Sequence, residues 1–207
     1  MIGVDERSML RAGPAFVTAL AAAAAIGRPF GHLPSPGAVV RGLEERRLRV
    51  LMGTWLESVA AFLLIVFSVG LYSRIRRTEA ATTPFGSLGL AGGTATSVLL
   101  LGRAAATAAA AERVGSEGAS PETATHAIDF GNLLIGKMAP VTLALMTGAT
   151  TMAARRSDLL PPWIVRAGAT LTAGLLSPVN FVFVIGGLAW VAVVGWVLGR
   201  TQVVEAP

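Results

Sequence analysis

Residues 128–152, IDFGNLLIGKMAPVTLALMTGATTM, set the tightest limit on what this chain can fold into. At about 1.5 Å per residue, a helix of that length crosses the roughly 30 Å hydrocarbon core of a bilayer. The stretch is mostly apolar, yet it carries Asp129, Asn132, Lys137 and Pro140. Ionisable and amide side chains at such a depth need water or a partner. At about 100° per residue, Asp129, Asn132, Gly136, Pro140, Thr147 and Thr151 fall on one side, with Leu134, Ile135, Met138, Val141 and Leu145 opposite. The pattern predicts a transmembrane helix with one face for lipid and one for protein.

The rest of the chain is of the same kind. Its hydrophobic fraction is 53% and its charged fraction 14%, where soluble domains run near about 25% charged, and its mean hydropathy is +0.65. The 207 residues accommodate about six apolar spans with no room for a separate soluble domain. Lipid admits only helices or closed barrels, and the apolar segments are too long for barrel strands. The expected fold is all-α, a single polytopic transmembrane helix bundle, with the lipid bilayer as its first partner.

The spans are expected at about 12–27, 50–73, 87–111, 128–152, 163–176 and 181–198. The first is an alanine-rich run behind Arg7 and Arg11, and reads either as a retained span or as the h-region of a signal peptide; the retained span is the reading adopted. Between Arg28 and Arg49, residues Val39, Leu43 and Val50 share a side, as in a short interfacial helix running into the second span, or in a solvated charged helix start. In the second span Gly53, Thr54, Glu57, Ala61, Ser68 and Tyr72 share one face, and in the third Gly89, Gly92, Thr96, Arg103 and Thr107 do. Gly89 and Gly93 also have the GxxxG spacing of close helix contacts. The segment ERVGSEGASPETATH reads as an acidic loop. Ser177-Pro178-Val179-Asn180 divides the last apolar run in two, leaving a short fifth span that tilts or is partly re-entrant. Trp190 and Trp196 are expected at lipid or at the interface.

Orientation follows from arginines in short loops. With the N-terminus inside, nine lie on the inner side (Arg7, Arg11, Arg74, Arg76, Arg77, Arg155, Arg156, Arg166 and Arg200) and six on the outer side (Arg28, Arg41, Arg46, Arg47, Arg49 and Arg113). This favours both termini in the cytoplasm. The net charge of +5 and pI of about 11.2 come from these flanking clusters and not from a continuous basic face, so no nucleic-acid partner is expected. Sixteen arginines against the single Lys137, together with the alanine content, look like the product of a high-GC bacterial genome, and so place the chain in a bacterial plasma membrane.

At HAIDFGNLLIGKMAPVTLAL and LLPPWIVRAGATLTAGLL the chain resembles a group of uncharacterised actinobacterial multi-pass membrane proteins of the domain-of-unknown-function type. An Asp-x-Gly-Asn-Leu element opens one span in that group and a Leu-Pro-x-Trp element the next. The matching residues are Asp129, Gly131, Asn132 and Leu133, then Leu160, Pro161 or Pro162, and Trp163. The resemblance implies a shared helical fold and no particular activity.

Chemistry is read mostly by exclusion. There is no cysteine, so disulfides, thiolate metal sites and iron–sulfur clusters are ruled out. The two histidines, His32 and His126, are expected in loops, which disfavours a haem held inside the bundle. No phosphate-binding loop, zinc motif or nucleophile triad occurs, so no cofactor and no catalytic residue is expected. His126 and Asp129 are three apart and read as a solvated pair more readily than as metal ligands.

What remains is a candidate buried polar cluster in the outer half of the bundle: Glu57, Arg103, Asp129, Asn132 and Lys137. Counted along their helices, Glu57, Arg103 and Lys137 share a level about 12–14 Å deep. Glu57 is expected to pair with Arg103 or Lys137, with Asp129 above them. Two functions fit: a scaffold or accessory subunit that uses the charges structurally and binds other membrane proteins or itself, and a small transporter or ligand-binding protein that uses them as a site.

Overall fold

The computed structural model describes residues 5–27, 35–78, 84–114 and 120–200. Every regular element among them is helical: α1 (Glu6–Gly27), α2 (Pro36–Thr78), α3 (Phe85–Arg113), α4 (Pro121–Leu133), a π-helical turn (Leu134–Met138), α5 (Ala139–Ser157), α6 (Pro162–Leu175) and α7 (Asn180–Arg200). α4, the π turn and α5 run on as one unit, Pro121–Ser157. Five helices, namely α1, α2, α3, the α4–α5 unit and α7, are long and apolar enough to cross a membrane. The expected fifth span, 163–176, falls on α6. Its 14 residues reach only about 21 Å, so the expectation of six spans becomes five full-length helices and one short one.

Glycine contacts fix how these helices run. Gly70 of α2 faces Met9 and Leu10 of α1, whereas Gly53 faces Gly27 and Ala23, so α1 and α2 are antiparallel. Gly195 of α7 lies against Leu10, and Gly199 against Arg11. The start of α1 and the end of α7 are therefore at the same end of the bundle. Glu6 sits there with Arg74 at 3.7 Å and Arg77 at 3.0 Å, and Arg156 lies over the Phe85 ring at 4.8 Å.

The main core joins Phe16 of α1, Leu64, Phe67 and Leu71 of α2, Met146 of α5, and Val191 and Val194 of α7, all fully buried. A second apolar cluster lies beyond the far end of α1. At 43 residues, α2 extends about 64 Å, twice the hydrocarbon thickness, and its helical geometry breaks at Arg46 (φ −124°, ψ 17°). Val39, Leu43 and Val50 do share a side, but they pack on Ala110, Ala111 and Val114 of α3 and Ala124 of α4. This part of α2 is one leg of a three-helix extension, with its apolar side spent on protein.

Two further expectations change. The expected loop is in part helix, since α4 starts at Pro121 with Ser120 as its cap, the Ser120 hydroxyl accepting from the Thr123 amide at 3.2 Å. His126 is thus on a helix, while His32 lies outside the described residues. Trp190 is not at lipid: it is 4% exposed, and its indole Nε1 donates to the Ile164 carbonyl at 3.1 Å beside Gly168. Trp196 is exposed, with Arg200 stacked on its ring at 3.6 Å.

The π turn has the largest effect on the site. Proline has no amide hydrogen and its ring crowds the carbonyl four residues back. For Pro140 that carbonyl belongs to Gly136, inside the widened turn. The turn accommodates one extra residue and so resets the helix face by about 100°. Before it the buried positions are Ala124, Gly131 and Leu134; after it they include Leu143, Thr147, Thr150 and Ala154. On an unbroken wheel these sets are roughly 100–140° apart. Across the π turn, Gly131 and Leu134 meet Arg103 and Gly102 of α3, and Thr142, Met146 and Thr150 meet Gly92 and Gly89 farther along it, while Leu143 and Thr147 turn to Gly187 of α7 and Thr172 of α6.

Candidate functional site

Glu57 is carried by the stretch of α2 next to α1's last turn. A methyl on Gly53 would lie 2.6 Å from the Gly27 Cα, so two glycines let the helix backbones touch and leave Glu57, one turn on, facing inward. It is 4% exposed. From α3, Arg103 Nη1 meets its Oε1 at 2.7 Å. The stem of Arg103 passes over Gly131 of α4, where a Cβ would be 3.2 Å from the arginine Cγ. One ion pair thus ties α2, α3 and α4 together. It is asymmetric, with the glutamate side chain 6% exposed and the arginine 36%. A carboxylate withdrawn from water to this extent is tolerated because its cation is in direct contact.

The other buried polar groups are mostly hydroxyls bonded to their own helix. Ser68 donates to the Leu64 carbonyl at 2.7 Å, Ser97 to Gly93 at 2.9 Å, and Thr150 to Met146 at 2.8 Å. Three hydroxyl contacts cross between helices among the described residues: Thr96 with Thr142 at 2.8 Å, joining α3 to α5, Thr147 with Thr172 at 3.0 Å, joining α5 to α6, and Ser68 donating to the Met146 sulfur at 3.8 Å, joining α2 to α5. The Thr151 hydroxyl, against Gly168, is buried without a partner. Such groups fix the register of close helices.

Asp129, Asn132 and Lys137 are exposed. The expected buried cluster of five is therefore corrected to one buried carboxylate, Glu57, paired with the part-exposed Arg103, and three groups on the outward side of α4 and the π turn. The periodicity carries one face unbroken from Asp129 to Thr151, whereas the structure widens the helix at the π turn, and α6 and α7 cover the α5 part of that face, Thr147 bonding Thr172, Thr151 lying against Gly168 and Leu143 against Gly187. Lys137 lies between two contacts that give its level. Leu134 packs on Gly102 and Thr142 bonds Thr96, which puts Lys137 beside the middle of α3. Phe130, Leu133 and Met138 are exposed with it.

No family model, curated protein or solved structure matches the chain.

Among the described residues no group of three or more His, Cys, Asp or Glu is placed to hold a metal ion. His126 and Asp129 are both on the exposed side of α4. One feature was missed in the sequence. A groove of about 750 Å³ runs along the outer side of α3, floored by Ser87, Ala91, Ala95 and Val98 and walled by Tyr72 of α2 and by Met138 and Thr142. Its signal was the run of small residues at a spacing of four along α3, overshadowed by the glycines and threonines of the opposite face.

Proposed function

We propose that this chain is a scaffold or accessory subunit of a bacterial plasma membrane, with both termini cytoplasmic, and that the outward side of α4 is where it holds another membrane protein. The observation that carries this reading is Lys137, exposed beside the middle of α3. A lysine facing hydrocarbon costs about 2.5–3.5 kcal/mol on insertion scales. A carboxylate or carbonyl on a neighbouring helix offsets that cost, and Asp129 and Asn132 extend the same polar side. A second copy is a poorer fit, since a two-fold axis along the membrane normal sets Lys137 level with its own image.

The alternative, a small transporter or ligand-binding protein using the polar cluster, needs the five groups to converge, and the pair that does meet already satisfies itself. Gentle extraction into native nanodiscs separates the two. The scaffold reading expects a particle heavier than the chain, reduced to the free chain by Lys137→Leu, and no solute flux in proteoliposomes. A lone chain with flux that is lost in Glu57→Gln supports the alternative instead.

A further inference from the structure

The groove on α3 is open along its length, and three observations say what fits it. Its floor runs from Ser87 to Leu99, a rise of about 18 Å along the helix, close to one leaflet of hydrocarbon at about 15 Å. Its lining is apolar except for the hydroxyls of Tyr72, Ser87, Thr94 and Thr142, and three of its floor residues, Ser87, Ala91 and Ala95, are too small to fill it. Its mouth is basic. Arg76 lies over the ring of Tyr72, with its guanidinium carbon 6.0 Å from the centroid, and its stem passes Gly86, next to Ser87. Arg156, from the end of α5, lies over the ring of Phe85, two residues before Ser87, with its guanidinium carbon 4.8 Å from the centroid. Both arginines are exposed, and neither forms an ion pair with a described residue.

We infer that this groove is a binding site for an anionic phospholipid, with one acyl chain along Ala91 and Ala95 as far as Met138 and the phosphate between Arg76 and Arg156. An extended acyl chain matches the length and the apolar lining. Guanidinium groups bind phosphate by charge-assisted hydrogen bonds, and each basic group near a membrane surface contributes about fivefold to the binding of an acidic lipid. The inference rests on the chain being membrane-embedded; it does not depend on whether α4 carries a partner.

The test is native mass spectrometry of the full chain reconstituted in vesicles of equal phosphatidylglycerol and phosphatidylcholine. The wild type is expected to retain phosphatidylglycerol over phosphatidylcholine by about tenfold or more, two arginines acting together. Arg76→Gln with Arg156→Gln should bring that ratio near one while lipid is still bound. Ala95→Phe should remove the bound lipid whatever its headgroup, and millimolar inorganic phosphate should not displace it. Equal retention of the two lipids by the wild type, an unchanged ratio in the double arginine variant, or full retention in Ala95→Phe would each overturn the assignment. A partner helix in the groove would show as such headgroup indifference. Should Ala95→Phe fail to fold, the arginine pair, remote from the core, still decides the question.

Discussion

Glu57→Gln is expected to lower the stability of the purified protein by about 3 kcal/mol, or roughly 6–12 °C in a thermal melt. The glutamate is buried and Arg103 reaches it at 2.7 Å, so the substitution leaves a guanidinium held among α2, α3 and α4 without its anion. Because the Arg103 side chain is 36% exposed, part of that charge finds water, which puts the loss at the low end of the range for buried pairs. Arg103→Met alone strands the carboxylate, the more buried partner, and should cost at least as much. The double variant should recover a substantial part of the loss, with a coupling of about 1–3 kcal/mol in the cycle. Additive losses would mean that the two residues act separately.

The second large effect is expected at Gly92. A methyl there would meet the Met146 backbone nitrogen at 2.6 Å and the Thr142 carbonyl oxygen at 2.8 Å. Both are backbone atoms of α5, so no side chain can turn away. Glycine to alanine in a helix otherwise gains about 1 kcal/mol from propensity, whereas forcing two packed helices apart costs about 1–3 kcal/mol or more. Gly92→Ala is therefore expected to destabilise, and Gly92→Leu to prevent assembly, since separating α3 from α5 also breaks the Thr96–Thr142 contact. Gly37→Ala, where nothing lies within 4 Å, serves as the control and should be neutral or slightly stabilising. The melting temperatures of the three variants in one detergent decide the matter; a stable Gly92→Leu would mean that α3 and α5 are not in contact.

The inward faces of α2 and α3 were legible in the sequence because both helices keep α geometry over the stretches that matter. Gly53, Thr54, Glu57, Ala61 and Ser68 are buried together, as are Gly89, Gly92 and Thr96. The face of α4 was not legible, because the periodicity assumes a constant rotation and Pro140 changes it one turn earlier in the chain. Asp129 and Asn132 lie before the π turn, so their direction was inferred from residues beyond it. The start of α4 was readable in principle, since Ser120-Pro121 is a capping serine followed by a first-turn proline; the surrounding glycines and acidic residues suggested a loop instead. Trp190 is buried for a different reason. An interfacial default cannot anticipate that Gly168 on α6 opens room for an indole to reach the Ile164 carbonyl.

The rotation at the π turn decides which groups this protein keeps inside and which it presents to its surroundings, and the absence of cysteine makes it directly measurable. Single cysteines from 124 to 150 can be spin-labelled in nanodiscs holding the purified chain, and their collision rates with oxygen recorded residue by residue. The expected profile has low accessibility at Ala124, Gly131, Leu134, Leu143, Thr147 and Thr150, high accessibility at Asp129, Leu133 and Lys137, and a phase jump of about 100° between residues 134 and 139. A profile with one unbroken helical period, in which Asp129, Asn132, Pro140 and Thr147 are protected together, would contradict it and return the outward charges to the interior of the bundle.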